Sequence, residues 1–534
     1  MTACDLALVS GRVRTLDPDR PWASAIAARD GELVAVGDDA EVRQLCGAQT
    51  EVVDLRGAAV VPGLIDSHIH PFAGVVAARG TNLMGANTLD QVRRRVADER
   101  ARCAPDQWVL GYGLDYNAFA SSGIHGELIE DATQGSPALL LFVDVHTALA
   151  TPRALELAGV DGPRTFEEHA EVVCAEGIPT GELRERAAMD LVRAAIPEAT
   201  QAERYRIVTD QLRRLAAVGI TGAHAMDGTL ETLDLLRELE ANGDLCTRLI
   251  TPFWITPEST EDEWEAFASQ RDARGRRWRA GVAKFFIDGV IDSGTGWLFE
   301  PDSEGGGLEP FWPDPARYRS AVRFFASRGF QCATHATGDR GVREALDAYR
   351  EAGAAPGVSH RVEHIETLQP DDLPRFEAEG VVASMQAQHM MDLDPDRQDN
   401  WSRRLGPDRC DRAFPIRSLR ESGAMVALGS DWPVAHFNPR EGMAAARLRR
   451  RPGQPRRRPY DDQQIDGLAA LEGYTANAAA TVGDRARIGS LRAGGWADLT
   501  VLAEDPVVCD ADDLPHNPVL LTVVDGDVVF RAEP

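Results

Sequence analysis

Long apolar runs are missing from this chain of 534 residues, and none is long enough to span a bilayer. The opening MTACDLALVSGRVRTLD lacks the basic start and continuous apolar stretch of a secretory leader, so a cytoplasmic location is expected. CxxC pairs are missing too. The eight cysteines, at 4, 46, 103, 174, 246, 332, 410 and 509, are scattered, which excludes a thiolate zinc motif and fits reduced packing thiols better than a disulfide framework. Positive charge is in short supply: 57 Lys and Arg face 84 Asp and Glu, for a net charge of −27. Such a surface repels phosphate backbones and anionic lipid, so no nucleic-acid or membrane partner is expected. Also absent are a GxSxG elbow, a P-loop and a convincing GxGxxG after a strand, which counts against serine-nucleophile and nucleotide-dependent chemistry.

What is present describes an ordinary globular protein, 43% hydrophobic and 26% charged. The length suits two or more domains of ~100–200 residues, or one large barrel of ~250 residues with an addition. Both ends are β-rich. Near the start, SAIAARDGELVAVG carries an Asp30-Gly31 hairpin signal; near the end, PVLLTVVDGDVVFRAEP carries another at Asp525-Gly526. Lone hairpins are rarely stable, so residues 1–60 and 485–534 are expected to combine into one discontinuous domain.

Between them, residues 61–484 alternate short β-branched runs with helical stretches. The runs are VVPGLIDSH, GITGAHAM, RLITPFWI, VAKFFIDG, FQCATHATG, HRVEHIE, VVASMQAQ and MVALGSDWP. Eight strand-then-helix units predict an α/β fold, a (β/α)₈ TIM-like barrel. Strands near 108–112 and 138–144 are surplus to that count and fall in an elaboration at about 74–200. The Arg-rich RLRRRPGQPRRRP at 447–459, broken by Pro and Gly, is expected to be an exposed loop.

In VVPGLIDSHIHP, His68 and His70 are two residues apart in an extended strand and so share a side. Barrel strands converge at their carboxyl ends. There the sequence also places Lys284, His335, His364 and Asp431. Each has a structural reading as well: an ion pair for Lys284, a hydrogen-bonded core position for His335 or His364, a cap for Asp431. A lysine inside the apolar GVAKFF must shed its charge, find a partner or be modified. Together, in this order, they make a metal-site inventory over five strands.

With its neighbouring phrases PTGELRE, KFFIDGVIDSGTG, HATGD, RVEH, SMQAQH, GSDWPV, YTANAA and GSLRAGGWADLTVL, the chain resembles the amidohydrolase superfamily and, within it, family 3, which includes N-substituted formamide deformylases. The resemblance spans nearly the whole chain. It implies a small β-sandwich formed by the two ends beside the barrel. It implies one or two divalent metal ions, with zinc expected: His68, His70 and Asp431 on one, His335 and His364 on the other, bridged by an N-carboxylated Lys284. Relatives that use a bridging cysteine offer Cys332 as a rival, but its odd offset from His335 points it to the other face. The implied activity is hydrolysis of a non-peptide or modified amide, with Asp431 as the proton shuttle.

His224, His146 and Arg361 are weaker candidates for substrate contact, as are the aromatics Tyr112, Trp297, Phe299 and Trp432 near strand ends. Two other functions compete. A cyclic-amide hydrolase or heterocycle deaminase would use the same barrel, but Gly338 and Asp339 follow HAT where such deaminases carry a shuttling glutamate. A non-catalytic barrel would have lost ligands, and all six are present. The expected partner is a small-molecule amide substrate, and a homo-oligomer is compatible with the sequence.

Overall fold

The computed structural model describes residues 3–104, 107–394, 396–455 and 461–533. Its largest sheet has eight parallel strands: β1 (Leu64–Ile69), β2 (Ile220–Ala225), β3 (Arg248–Trp254), β4 (Trp278–Phe286), β5 (Gln331–Ala336), β6 (Arg361–His364), β7 (Val382–Met385) and β8 (Val426–Leu428). Each pairs with the next in chain order. Beyond the last rungs the two edges meet: the Asp431 N–H donates to the His68 carbonyl (2.7 Å) and the His70 N–H to the Trp432 carbonyl (3.0 Å). The sheet thereby becomes a nearly closed barrel. Glycine is needed at 429, because a Cβ there would lie 2.4 Å from the His68 nitrogen. The eight runs marked in the sequence supply these eight strands.

Alternation along the strands decides which side chains face inward. On β5, the Thr334 hydroxyl meets Tyr318 of α1 (Pro315–Ser327) at 2.9 Å and Tyr349 of α2 (Asp339–Ala352) at 2.6 Å. Thr334 therefore faces the helical layer, and His335, the next residue, faces the interior. Cys332 shares the outer face and is packed in the main core, as its offset from His335 requires. The helix α1 begins where the sequence says it should: the Asp314 carboxylate accepts the Ala316 N–H and Pro315 takes the first helical position.

Two further sheets come from the chain ends. In one, the C-terminal strand Leu499–Leu502 pairs antiparallel with Ala59–Pro62, next to Arg12–Arg14 and Val519–Val524. The other joins Glu32–Gly37, Ala25–Arg29, Leu6–Val9 and Glu51–Asp54. Leu8, Ile26, Val60, Val501 and Val523 pack together between them, giving a sandwich. Both hairpin signals are realised as turns with positive φ at each central residue: Asp30 and Gly31, Asp525 and Gly526. The two surplus strands, Val109–Leu114 and Ala138–Phe142, belong to a separate six-stranded sheet inserted after β1.

The Arg-rich segment corrects an expectation in part. It starts inside the helix Pro439–Leu448, and Arg449 is buried, donating to the Phe414 carbonyl at 3.0 Å, while Arg450 pairs with Asp512 at 2.5 Å. Arg449 and Arg450 are thus tied down by acceptors in the fold, whereas 451–455 form the mostly exposed loop expected; residues 456–460 lie outside the described residues. Among the described residues no helix is long and apolar enough to cross a membrane.

Arg248 at the start of β3 ties the barrel to the C-terminal strands. Its guanidinium meets Asp498 at 2.6 Å and Asp525 at 3.0 Å, all three nearly enclosed, and lies over the Trp496 ring. Removing the cation strands the buried Asp498 carboxylate, while Asp525 keeps Arg276 and Arg277. Arg248→Ala is expected to cost about 3–5 kcal/mol, read as a lowered thermal midpoint, with Arg248→Lys intermediate; an unchanged midpoint contradicts this role.

Candidate metal centre

β1 delivers His68 and His70 to the barrel mouth, β6 delivers His364, and the loop after β8 delivers Asp431. The Nε2 atoms of His68 and His70 lie 3.3 and 3.0 Å from one Asp431 oxygen. The other oxygen faces His364 Nδ1 at 3.8 Å and His389 Nε2 at 3.6 Å. Ligand atoms of His68, His70 and Asp431 all fall within 4.8 Å of one another, and so do those of His364, His389 and Asp431. Neutral imidazole nitrogens and a carboxylate at this spacing are a donor set for a divalent ion such as zinc. His364 and Asp431 both hold left-handed backbone angles, φ 73° and 58°. Such angles cost on the order of 1–3 kcal/mol each in non-glycine residues and collect where a side chain must be aimed.

The donor atoms are oriented from below. Glu363 accepts from His68 Nδ1 at 2.7 Å, which leaves Nε2 free to face Asp431. Arg361, fully enclosed in the barrel, in turn fixes Glu363 (Nη2 at 3.0 Å), Ser384 (2.7 Å) and His224 Nδ1 (3.0 Å). Burial alone would push the Glu363 carboxyl up, but the Arg361 and His68 charges outweigh it and hold the group ionised, far below the usual range. On β5, His335 Nε2 lies 2.9 Å from the Gly289 carbonyl, which places the proton on Nε2 and the lone pair on Nδ1. Burial first, then neighbouring cations, holds both His335 and His364 well below the ordinary imidazole range, so each is neutral.

Lys284 on β4 lies among them, fully buried, and no hydrogen-bond acceptor reaches its Nζ. Burial draws its pKa down to about 8, against the pull of Glu363 and Asp431. It is also the single lysine of the chain: the 57 cationic residues are 56 arginines and this one. That scarcity is a signal in the sequence which the strand pattern alone did not use.

Two cavities open over this point. One, of about 590 Å³, is lined by His68, His70, Lys284, His335, His364 and Asp431, with Trp254 and Phe286 on its wall. The second, of about 660 Å³, shares His335, His364 and Asp431 with it. His146, contributed by the inserted sheet, lines both. Its Nδ1 is 2.8 Å from Glu185, and although burial lowers its pKa, the charges of Glu185 and Asp144 lift it to about 9.

Several expectations change. His224 and Arg361 line neither cavity; they lie beneath the mouth, satisfied by each other and by strand neighbours. Tyr112 packs half-buried in the cluster that includes Leu139 and Leu141, which line the first cavity, but lines neither cavity itself. Trp297 is in the core with Arg340 stacked on its ring, and Phe299 has Arg343 on its own. Trp432 turns to Phe437 while its carbonyl closes the barrel. These rings fill space behind the loops rather than face the opening. His335 keeps its expected place, its ring 4.4 Å from that of His364 and lining both cavities, although the two His and Asp groups do not include it; His389, which was read only as part of SMQAQH, stands inside one. Glu363 also went unmarked: a carboxylate on a strand beside an arginine reads as an ordinary ion pair.

The amidohydrolase family model matches residues 51–530, and the chain belongs to that family. It is 29% identical to Protein LONG AFTER FAR-RED 3 of Arabidopsis thaliana, covering 98% of this chain and 91% of that one. It is 28% identical to the N-substituted formamide deformylase of Arthrobacter pascens, covering 99% and 98%. Its fold is similar to that of an uncharacterized metal-dependent hydrolase from Pyrococcus horikoshii, with a TM-score of 0.73 at 22% identity over 95% of this chain and 99% of that one.

Protein purified without chelator is expected to hold between about one and two equivalents of a divalent ion by elemental analysis, given a donor set larger than one tetrahedral ion requires. Glu363→Gln, which weakens the hold on His68, should lower metal affinity roughly 10–100-fold. Unchanged affinity in a chelator competition would remove Glu363 from the centre.

Proposed function

We propose that this chain hydrolyses the C–N bond of a non-peptide or modified amide, an N-formyl or N-acyl amine or an aminoacyl conjugate, at the barrel mouth. The observation that carries the reading is the convergence of His68, His70, His364, His389 and Asp431 on one point beside the unpartnered amine of Lys284. A divalent ion held there, zinc in our reading and one or two per chain, supplies Lewis acidity that polarises a carbonyl and eases ionisation of water near neutral pH. His68, His70 and one Asp431 oxygen would hold one ion, leaving the other oxygen as the base; His364, with His335 or His389 beside it, suits another. Carboxylation of Lys284 Nζ would replace a buried, partnerless amine with two anionic oxygens able to bridge them.

The chain's own groups then divide the work. Asp431 accepts the proton of the attacking water and passes it to the departing amine nitrogen, the general acid–base role its position allows. His146, whose Nδ1 is held by Glu185, is placed to donate through Nε2 to the developing oxyanion. Trp254 and Phe286 wall the larger apolar face and keep bulk water from the reacting bond. The resemblance to a formamide deformylase over almost the full length supports an amide rather than an ester or heterocycle as substrate.

The test is a turnover screen of the zinc-loaded protein against formamides, N-acyl amino acids, small peptides, hydantoins and aminopyrimidines, with released amine or ammonia measured. Turnover confined to hydantoins or aminopyrimidines would overturn the reading. With the best substrate, Asp431→Asn, which keeps an oxygen donor but not the basic site, is expected to keep much of its metal and lose on the order of 10²–10⁴ in kcat. Near-normal kcat with intact metal would reduce Asp431 to a structural cap.

A further inference from the structure

The two cavities that meet at the centre differ in character. The first is walled by Leu139, Met189, Trp254 and Phe286 and carries arginines at its rim. The second is rich in carboxylates: Asp115, Asp144, Asp292, Glu366 and Asp399 line it, with Arg451 as the one arginine on its wall among the described residues. Most of these have donors in the fold. Asp144 takes the Tyr116 hydroxyl, Glu366 the Trp401 indole, and Asp399 the Ser402 N–H. Asp292 has none among the described residues. A second, separate acceptor is also left open: Gln388, 2% exposed, donates through Nε2 to the His436 carbonyl at 2.6 Å, while its Oε1 has no partner. Asp292 is half-buried and Gln388 enclosed, and two acceptors left without donors in a wall rich in carboxylates call for a ligand that brings hydrogens and positive charge.

A compact metal ion does not answer that call. Among the described residues, the only groups of three His, Cys, Asp or Glu side chains close enough to hold an ion are the two at the barrel mouth. The carboxylates of the second lobe are spread over a cavity of about 660 Å³, a spacing suited to an extended organic cation. Their mutual field supports this. Burial, and then the charges of Asp144, Glu366 and Asp399, pushes the Asp292 carboxyl well above its ordinary range, a repulsion that an arriving cation relieves.

We propose that the acidic lobe binds a cationic nitrogen of the substrate, so that the amide cleaved carries an ammonium or guanidinium group, with Asp292 as the residue that selects it. This rests on the amide-hydrolase reading for its chemistry but not for its binding site. Cation recognition in the acidic lobe and apolar contact in the first would orient the amide across the centre between them.

The test has a binding arm and a turnover arm. Calorimetric titration of the full metal-loaded chain with cadaverine is expected to show saturable binding about tenfold or more tighter than with pentanediol, and a loss of about tenfold in Asp292→Asn. Asp115→Asn, a second change in the same wall, should weaken cadaverine binding in the same direction, and metal content checks that both variants keep the centre. In the turnover arm, kcat/KM for N-formylcadaverine should exceed that for N-formylpentylamine by about tenfold or more, with the preference lost in Asp292→Asn through a raised KM. Equal binding of diamine and diol, or cadaverine binding that ignores Asp292→Asn, overturns the proposal. Preference for the neutral formamide overturns it too while leaving the amide-hydrolase reading intact. Asp292-dependent cadaverine binding with no amide turned over upholds the lobe assignment and removes the reading beneath it.

Discussion

An amine enclosed in protein with no acceptor for its hydrogens is under an unusual constraint, and much of this barrel is arranged around one. Lys284 is on a central strand, in contact with no solvent, and the nearest charges are the carboxylates of Glu363 and Asp431. A structural lysine in that position would be expected to reach an ion pair, because a buried charge without one is strongly unfavourable. Here Nζ stops short of hydrogen bonding with either carboxylate. Around it the chain has placed neutral imidazoles, a strained His364 and Asp431 backbone, and the Arg361–Glu363–His68 relay. Each of these features costs stability on its own, and each makes sense if the point they surround is occupied by more positive charge than the protein itself supplies.

The same constraint explains why the layers differ in what they tolerate. Outside the strands, Thr334 and Cys332 meet tyrosines and apolar helix faces, an ordinary core. Inside, the strands carry Arg361, which donates to His224, Ser384, Glu363 and the Ser67 carbonyl. That polar plug fixes Glu363, and through it the imidazole of His68, without reaching the cavity. Above the plug the inserted sheet brings down His146, so the mouth is completed by a segment that is distant in the sequence from every barrel ligand.

The barrel was legible because its signals are local: eight β-branched runs, most of them ending near a polar or histidine position, alternating with helical stretches. The ligand positions were legible for the same reason, since strand ends converge. Where the sequence misled, the deciding interaction was between distant segments. Arg449 looks solvated until Phe414 supplies its acceptor; Trp297 and Trp432 look like pocket walls until loops fold behind them. Glu363 belongs to a strand whose pattern marks a neighbour more loudly, and His389 lies in the short turn beyond the strand Val382–Met385. The acidic lobe could not be read at all, because Asp115, Asp144, Asp292 and Glu366 come from four separate stretches of chain.

Because the chain has one lysine, a carbamate signal that disappears in Lys284→Arg belongs to that residue and not to the α-amine. The direct measurement is carbon NMR of the metal-loaded protein equilibrated with ¹³C-bicarbonate, with Lys284→Arg as the control. The account predicts one carbamate carbon per chain in the unaltered protein, absent from Lys284→Arg and lost together with the metal on chelation. An active, metal-loaded sample with no carbamate signal would contradict it and leave Lys284 as a bare amine beside the ion.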